Sequence, residues 1–90
     1  MSTIMTLYDC YGSPCTLEET GGTEVAMVRT STGRWPAIRL AASTYIAVDG
    51  RVYSASQARS KEYSTPENFA WAKRELNYLG YTNLIQSLWR

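Results

Sequence analysis

The sequence predicts an α+β domain: a small, mostly antiparallel sheet of four to five strands over residues ~3–54, with one or two C-terminal helices, ~66–79 and ~83–89, packed on one face. Three observations predict it. Asp49-Gly50 stands between two β-rich runs, as in a tight hairpin. Gly21-Gly22 divides two further strand-like runs, and Thr65-Pro66-Glu67 opens a helical pattern that stops at Gly80. Strands that precede helices, with no alternation between them, place the helices on one side of the sheet.

Taken in order, Thr3 to Asp9 reads as the first strand, ending near Gly12 and Pro14. Thr16 to Thr20 and Thr23 to Val28 read as a hairpin about Gly21-Gly22. A two-residue turn there would set Glu19 opposite Glu24, and opposed like charges destabilise a ladder. Either the loop is longer, or the acids meet a cation. Ser31-Thr32-Gly33 then turns the chain into Arg34 to Leu40, where Pro36 favours a strand start or edge because it lacks an N–H. A two-residue turn at Asp49-Gly50 would pair Val48 with Arg51, Ala47 with Val52 and Ile46 with Tyr53. That register leaves both faces of the hairpin partly apolar.

Residues 54–64 carry Ser54 three places before Gln57, the spacing of a capping box, but are serine-rich enough to form a polar loop. Helix and loop both stay open. From Thr65 the signals agree: a capping hydroxyl, Pro at the first helical position, and an acid in the first turn. Phe69, Ala72, Leu76 and Leu79 fall on one stripe, which should face the core. Leu84, Ile85, Leu88 and Trp89 recur at helical spacing after Thr82.

The 90 residues predict one domain over 1–90, with 44% hydrophobic and 19% charged residues and a net charge of +1, too apolar and too near neutral for disorder. No apolar run approaches the ~20 residues of a membrane span. The first residues lack the basic start and apolar core of a secretion signal, so a cytoplasmic chain is expected. Cys10 and Cys15 would face each other if the stretch between them is a hairpin loop; otherwise they are two reduced thiols. Charge is segregated. Residues 1–28 hold Asp9, Glu18, Glu19 and Glu24 with no basic residue, while 29–61 hold Arg29, Arg34, Arg39, Arg51, Arg59 and Lys61 against Asp49. The two segments either form a dipolar surface or cancel inside the fold.

The chain has no histidine, which removes His-dependent acid–base catalysis, nucleophile–histidine systems and His-containing zinc sites. Two cysteines cannot complete a four-thiolate site, and no phosphate-cradling glycine motif occurs. No catalytic residue, cofactor or metal is therefore expected. Glu62 and Glu67, near Arg59, Lys61 and Tyr63, are the one His-free cluster to inspect, and a solvated polar segment explains them as well.

Arg34, Trp35, Arg39, Arg51 and Tyr53 interleave guanidinium groups with aromatic rings on neighbouring strands. That mixture suits a protein interface, single-stranded nucleic acid or a nucleotide ligand. Trp71 and Tyr78 lie seven residues apart on a helix face away from the apolar stripe, which suggests a docking surface for another protein or a second copy. The expected partner is another protein, with nucleic acid as the alternative and assembly into a larger structure as a third. In size and lack of catalytic motifs the chain is similar to small phage-encoded inhibitors of host defence complexes, the anti-CRISPR proteins. The resemblance implies a non-catalytic protein-binding module. The near-neutral charge departs from those inhibitors that mimic nucleic acid by being strongly acidic.

Overall fold

Six strands follow one another around a closed antiparallel barrel in the computed structural model, which describes residues 3–19 and 25–83. They are β1 (Thr3–Tyr8), β2 (Pro14–Glu19), β3 (Val25–Thr30), β4 (Gly33–Ala41), β5 (Thr44–Ala47) and β6 (Val52–Ser54). Two helices follow, α1 (Gln57–Tyr63) and α2 (Pro66–Tyr78). This corrects the expected open sheet of four to five strands with helices on one face. The barrel closes through Tyr8 of β1 opposite Ser54 of β6, a pairing between distant parts of the chain that no local pattern encodes. The helix expected at ~83–89 and the Gly21-Gly22 turn lie outside the described residues.

Closure explains why both hairpin faces are apolar. Alternate residues point inward, and Leu7, Cys15, Leu17, Ala26, Val28, Ala37, Tyr45, Ala47 and Tyr53 fill the interior, with Met5 and Trp35 packed against them. Alanines set among tyrosines and leucines let so small a barrel close. The outer faces of β4 to β6 form a second core. Ile38, Ile46, Val48 and Val52 meet Ala72 and Leu76 of α2, with Leu40, Phe69, Trp71 and Tyr81 around them.

The β5–β6 hairpin is one residue out of the expected register. Ile46 pairs with Val52 and Tyr45 with Tyr53, because the loop has three residues, Val48-Asp49-Gly50, rather than two. Ala47 N donates to Arg51 O at 3.0 Å and Gly50 N to Ala47 O at 2.9 Å, with Gly50 at φ 86. A turn closed by a left-handed glycine is the three-residue hairpin solution. The slip moves Tyr53 to the opposite face, from the α2 side into the barrel. On β2–β3, Glu18 pairs with Met27, where a two-residue turn at Gly21-Gly22 would have set it opposite Val25; Glu24 lies outside the described residues.

Residues 57–63 form a helix, α1, capped by Ser56, whose hydroxyl accepts Arg59 N at 3.2 Å. Ser54 is not the cap; its hydroxyl donates to Ser56 O at 2.8 Å. Buried Ser60 donates from Oγ to the Tyr8 carbonyl and lies 3.2 Å from Ser54 Oγ, so α1 staples the short β1–β6 seam. The α2 start is as expected, with the Thr65 hydroxyl accepting Asn68 N at 3.2 Å and Pro66 leading the first turn. At its end Gly80 N donates to Asn77 O and Tyr81 N to Leu76 O, the paired bonds of a Schellman cap. That cap folds Tyr81, rather than the expected Leu79, onto the core; Leu79 is exposed.

Candidate protein-binding site at the turn end of the barrel

The β1–β2, β3–β4 and β5–β6 connections share one end of an up-and-down barrel. There Asp9, Ser13, Pro14, Thr30, Ser31, Thr32, Arg51 and Tyr53 surround a shallow cleft of about 100 Å³.

Asp9 organises this end. It stands where β1 turns back, and its N–H donates to Ser13 O at 3.1 Å while Gly12 N donates to Asp9 O at 3.1 Å. Gly12 takes φ 87, so the turn repeats the three-residue pattern of the β5–β6 hairpin. The Asp9 side chain adds what backbone alone does not. Its Oδ1 accepts Tyr11 N at 2.8 Å and Ser13 N at 2.9 Å, and its Oδ2 accepts Arg51 Nη1 at 3.3 Å. Only 1% of Asp9 is exposed.

Arg51 joins the two hairpins. Its guanidinium pairs with Asp9 and sits 5.8 Å from the centroid of the Tyr11 ring, within cation–π range. Its own N–H donates to Asp49 Oδ1 at 2.9 Å, and Tyr53 Oη donates to Asp49 Oδ2 at 2.7 Å. Burial pushes the Asp49 carboxyl above its ordinary value, opposed by the bonds from Arg51 N and Tyr53 and by the Arg51 charge. Burial, then the neighbouring Asp49 carboxylate, raises Tyr53 well above the phenol range. Burial pushes the Cys15 thiol up to about 12. Cys10 and Cys15 are both free thiols: Cys15 faces the interior opposite Leu7, and Cys10 sits in the turn, so the hairpin does not oppose them.

What remains open to contact includes two aromatic rings beside the polar side chains of Ser13, Ser31, Thr32 and Arg51. Tyr11 is 76% exposed at the tip of a turn fixed from three sides. Tyr8 and Pro14, directly paired across β1 and β2, are also exposed. The carboxylate oxygens and the Tyr53 hydroxyl are all engaged in holding the turns. The arrangement presents a surface more than it assembles reacting groups.

The seven residues singled out from sequence do not form one surface. Arg51 lies in the site. Tyr53 lies beneath it, 2% exposed, where its ring cannot stack on a base. Arg34 is on the outer face of β4, 3.6 Å from Glu18, which also holds Arg29 at 2.9 Å. The acidic and basic segments therefore cancel here across β2, β3 and β4. Trp35 is half-buried between the two cores, and its Nε1 has no hydrogen-bond partner among the described residues. Arg39 is exposed farther along β4, its Nε donating to Ala41 O at 3.4 Å beside a register shift. Trp71 packs into the α2 core, and Tyr78 stands 88% exposed on α2.

Tyr8, Asp9 and Tyr11 carried signals that the sequence reading passed over. An Asp at a strand end, two residues before a non-proline N–H and three before Gly, is the pattern of a side-chain-closed turn. A tyrosine at a turn tip has no core to fill. Of the Glu62, Glu67, Arg59, Lys61 and Tyr63 cluster, Arg59 lies over the Tyr63 ring at 5.7 Å, and Glu62, Lys61 and Glu67 are exposed. Groups of three or more His, Cys, Asp or Glu placed to hold a metal do not occur among the described residues, and no helix there is long and apolar enough to cross a membrane.

Comparison with known proteins finds no matching family model, curated protein or solved structure.

Proposed function

We propose that this chain is a non-catalytic protein-binding module that engages its partner through the aromatic turn end of the barrel, with Tyr11 as the anchor and Tyr8, Pro14 and Arg51 around it. The observation that carries this reading is that Tyr11 is largely exposed yet held by Asp9 and Arg51. A tyrosine already fixed in place loses little conformational freedom on binding, and Tyr and Arg are the residue types enriched among binding hot spots. The fold spends a buried carboxylate, an ion pair and two glycine-closed turns on positioning one exposed ring.

Charge favours a protein over nucleic acid as the partner. Arg29 and Arg34 are held by Glu18, and Arg51 by Asp9, which leaves less uncompensated positive charge for phosphates than the sequence suggests. Blocking a partner's surface, as anti-CRISPR inhibitors do, is one activity such a module would exert.

The test compares tagged wild type with Tyr11→Ala in affinity capture from bacterial lysate, with nuclease present and at two salt concentrations. A stoichiometric protein retained by wild type, insensitive to salt, and bound roughly thirtyfold more weakly by Tyr11→Ala is the expected result; a hot-spot tyrosine contributes about 2 kcal/mol. Recovery of nucleic acid alone, lost at raised salt, overturns the reading.

A further inference from the structure

The helices occupy one side of the barrel. α2 packs on the outer faces of β4 to β6, and α1 lies along the β1–β6 seam. Arg29 and Arg34 stand on the outer face beyond them, on β3 and at the start of β4, with side chains 58% and 53% exposed.

Strand register fixes what shares this face. Thr16 pairs with Thr6 on one side and with Arg29 on the other, and Arg29 pairs with Arg34. These four side chains therefore line up across β1 to β4. Tyr8 and Pro14, two residues along β1 and β2, point the same way. About 8 Å separates the Pro14 and Arg29 backbones, one strand spacing across and two residues along. The exposed edge of the aromatic site thus runs onto the arginine pair.

Like charges directly opposed destabilise a ladder unless something compensates them. Here Glu18 supplies one carboxylate for two guanidinium groups. Its Oε1 lies 2.9 Å from Arg29 Nη2, while its Oε2 lies 3.6 Å from Arg34 Nη2, beyond hydrogen-bond length. Two cations against one anion leave one positive charge over, and no other carboxylate comes within ion-pair distance of either arginine among the described residues. Arg34 in particular holds out its fork of N–H donors with only a distant acceptor.

From this arrangement we infer that Arg29 and Arg34 form a carboxylate-binding site, on which the partner protein places an aspartate or glutamate while it covers Tyr8, Pro14 and Tyr11. This rests on the protein-binding reading and specifies the chemistry of the partner's surface. A guanidinium presents parallel N–H donors that match the two oxygens of a carboxylate. A second acid seated on the pair neutralises the charge that Glu18 leaves over. Covered by the partner, one such contact is little screened by salt. A second copy does not supply that acid in a symmetric contact. Its own face brings the same two arginines, and the acid among them, Glu18, is already engaged. Nucleic acid fits less well, because its affinity grows with the number of phosphates neutralised and this cluster has a single charge to offer.

The experiment uses the whole chain. It is panned against two displayed libraries of random peptides, one lacking Lys and Arg and the other lacking Asp and Glu. Binders should come from the first. Changing one particular acid of such a peptide to its amide should weaken binding to wild type about tenfold, and should leave binding to the double variant Arg29→Gln/Arg34→Gln unchanged. The bound peptide should also shift the Nε–H resonances of Arg29 and Arg34 and leave that of Arg39, farther along β4, in place. Those resonances, read on wild type, decide the matter even if the double variant fails to fold. Equal recovery from the acid-free library overturns the inference, as does a failure to recover binders from either. So does an amide change that weakens binding to the double variant as much as to wild type, because the acid then sits elsewhere. Self-association of the free chain that Arg34→Gln abolishes would assign the pair to a second copy. A single-stranded oligonucleotide that shifts the same two resonances and binds more tightly than the peptides would assign it to phosphate. Either result overturns the inference. Peptides that lose affinity for Tyr11→Ala but not for the double variant also overturn it, while the aromatic-turn reading survives. The converse upholds the carboxylate site and removes Tyr11 as the anchor.

Discussion

Replacing Asp9 with alanine should destabilise the protein by about 3 kcal/mol and release the Tyr11 turn. The carboxylate accepts two backbone N–H groups at 2.8 and 2.9 Å and pairs with Arg51 at 3.3 Å. A hydrogen bond to a charged group contributes about 1.5–3 kcal/mol net. Both N–H donors lie at an exposed turn, where water recovers part of that loss, so the lower end of the range applies to each. The Arg51 guanidinium is half-exposed, so its pair adds under about 1 kcal/mol. Asparagine keeps one acceptor oxygen for the two N–H groups, and Asp9→Asn should cost only about 1 kcal/mol. In a domain of this size each kcal/mol is worth about 4–8 °C in Tm. Urea unfolding at pH 7, followed by Trp35 and Trp71 fluorescence, gives the stabilities. Amide exchange at Tyr11 and Ser13 reports on the turn and should accelerate strongly in the alanine variant alone. An alanine variant within about 0.5 kcal/mol of wild type would refute the assignment of Asp9 as organiser of this end. Equal damage from asparagine would refute acceptor geometry as the cause.

Three further outcomes follow from the same contacts. Asp49 has a raised folded-state pKa, so the native state binds its proton more tightly than the unfolded chain; its contribution to stability is fully present below 3.8 and is lost as pH rises through the raised folded value. Asp49→Asn should remove that decline, and a difference curve of stability against pH that stays flat above pH 3.8 would contradict it. Ser60→Ala should cost about 1–2 kcal/mol, since it deprives the Tyr8 carbonyl of its donor at the seam, and should speed exchange of the β6 amides, read by NMR. Under native alkylation at pH 8 Cys10 should react while Cys15, buried and pushed up to about 12, stays unmodified; mass spectrometry of the digested protein checks this, and equal labelling would contradict the burial of Cys15.

The sequence by itself determined what short-range chemistry determines. Thr65, Pro66 and Gly80 set the ends of α2 because a capping hydroxyl, a fixed φ and a helix stop act within one turn. Asp49-Gly50 located a hairpin for the same reason, and the absence of histidine limited the chemistry before any fold was known. The exact loop length was not legible, since Asp-Gly serves a two-residue and a three-residue turn alike, and that single residue decided whether Tyr53 pointed to α2 or into the barrel. Of the site, Arg51 was legible as an arginine beside an aromatic, but its partners Asp9 and Tyr11 lie some forty residues away in sequence. Closure was the decision of the tertiary structure alone. Tyr8 meets Ser54, and Ser60 meets the Tyr8 carbonyl, only when six strands twist and curl far enough for the first to reach the last. Each strand carries a local preference for its conformation. The curvature that unites them is a property of how their inward side chains pack together.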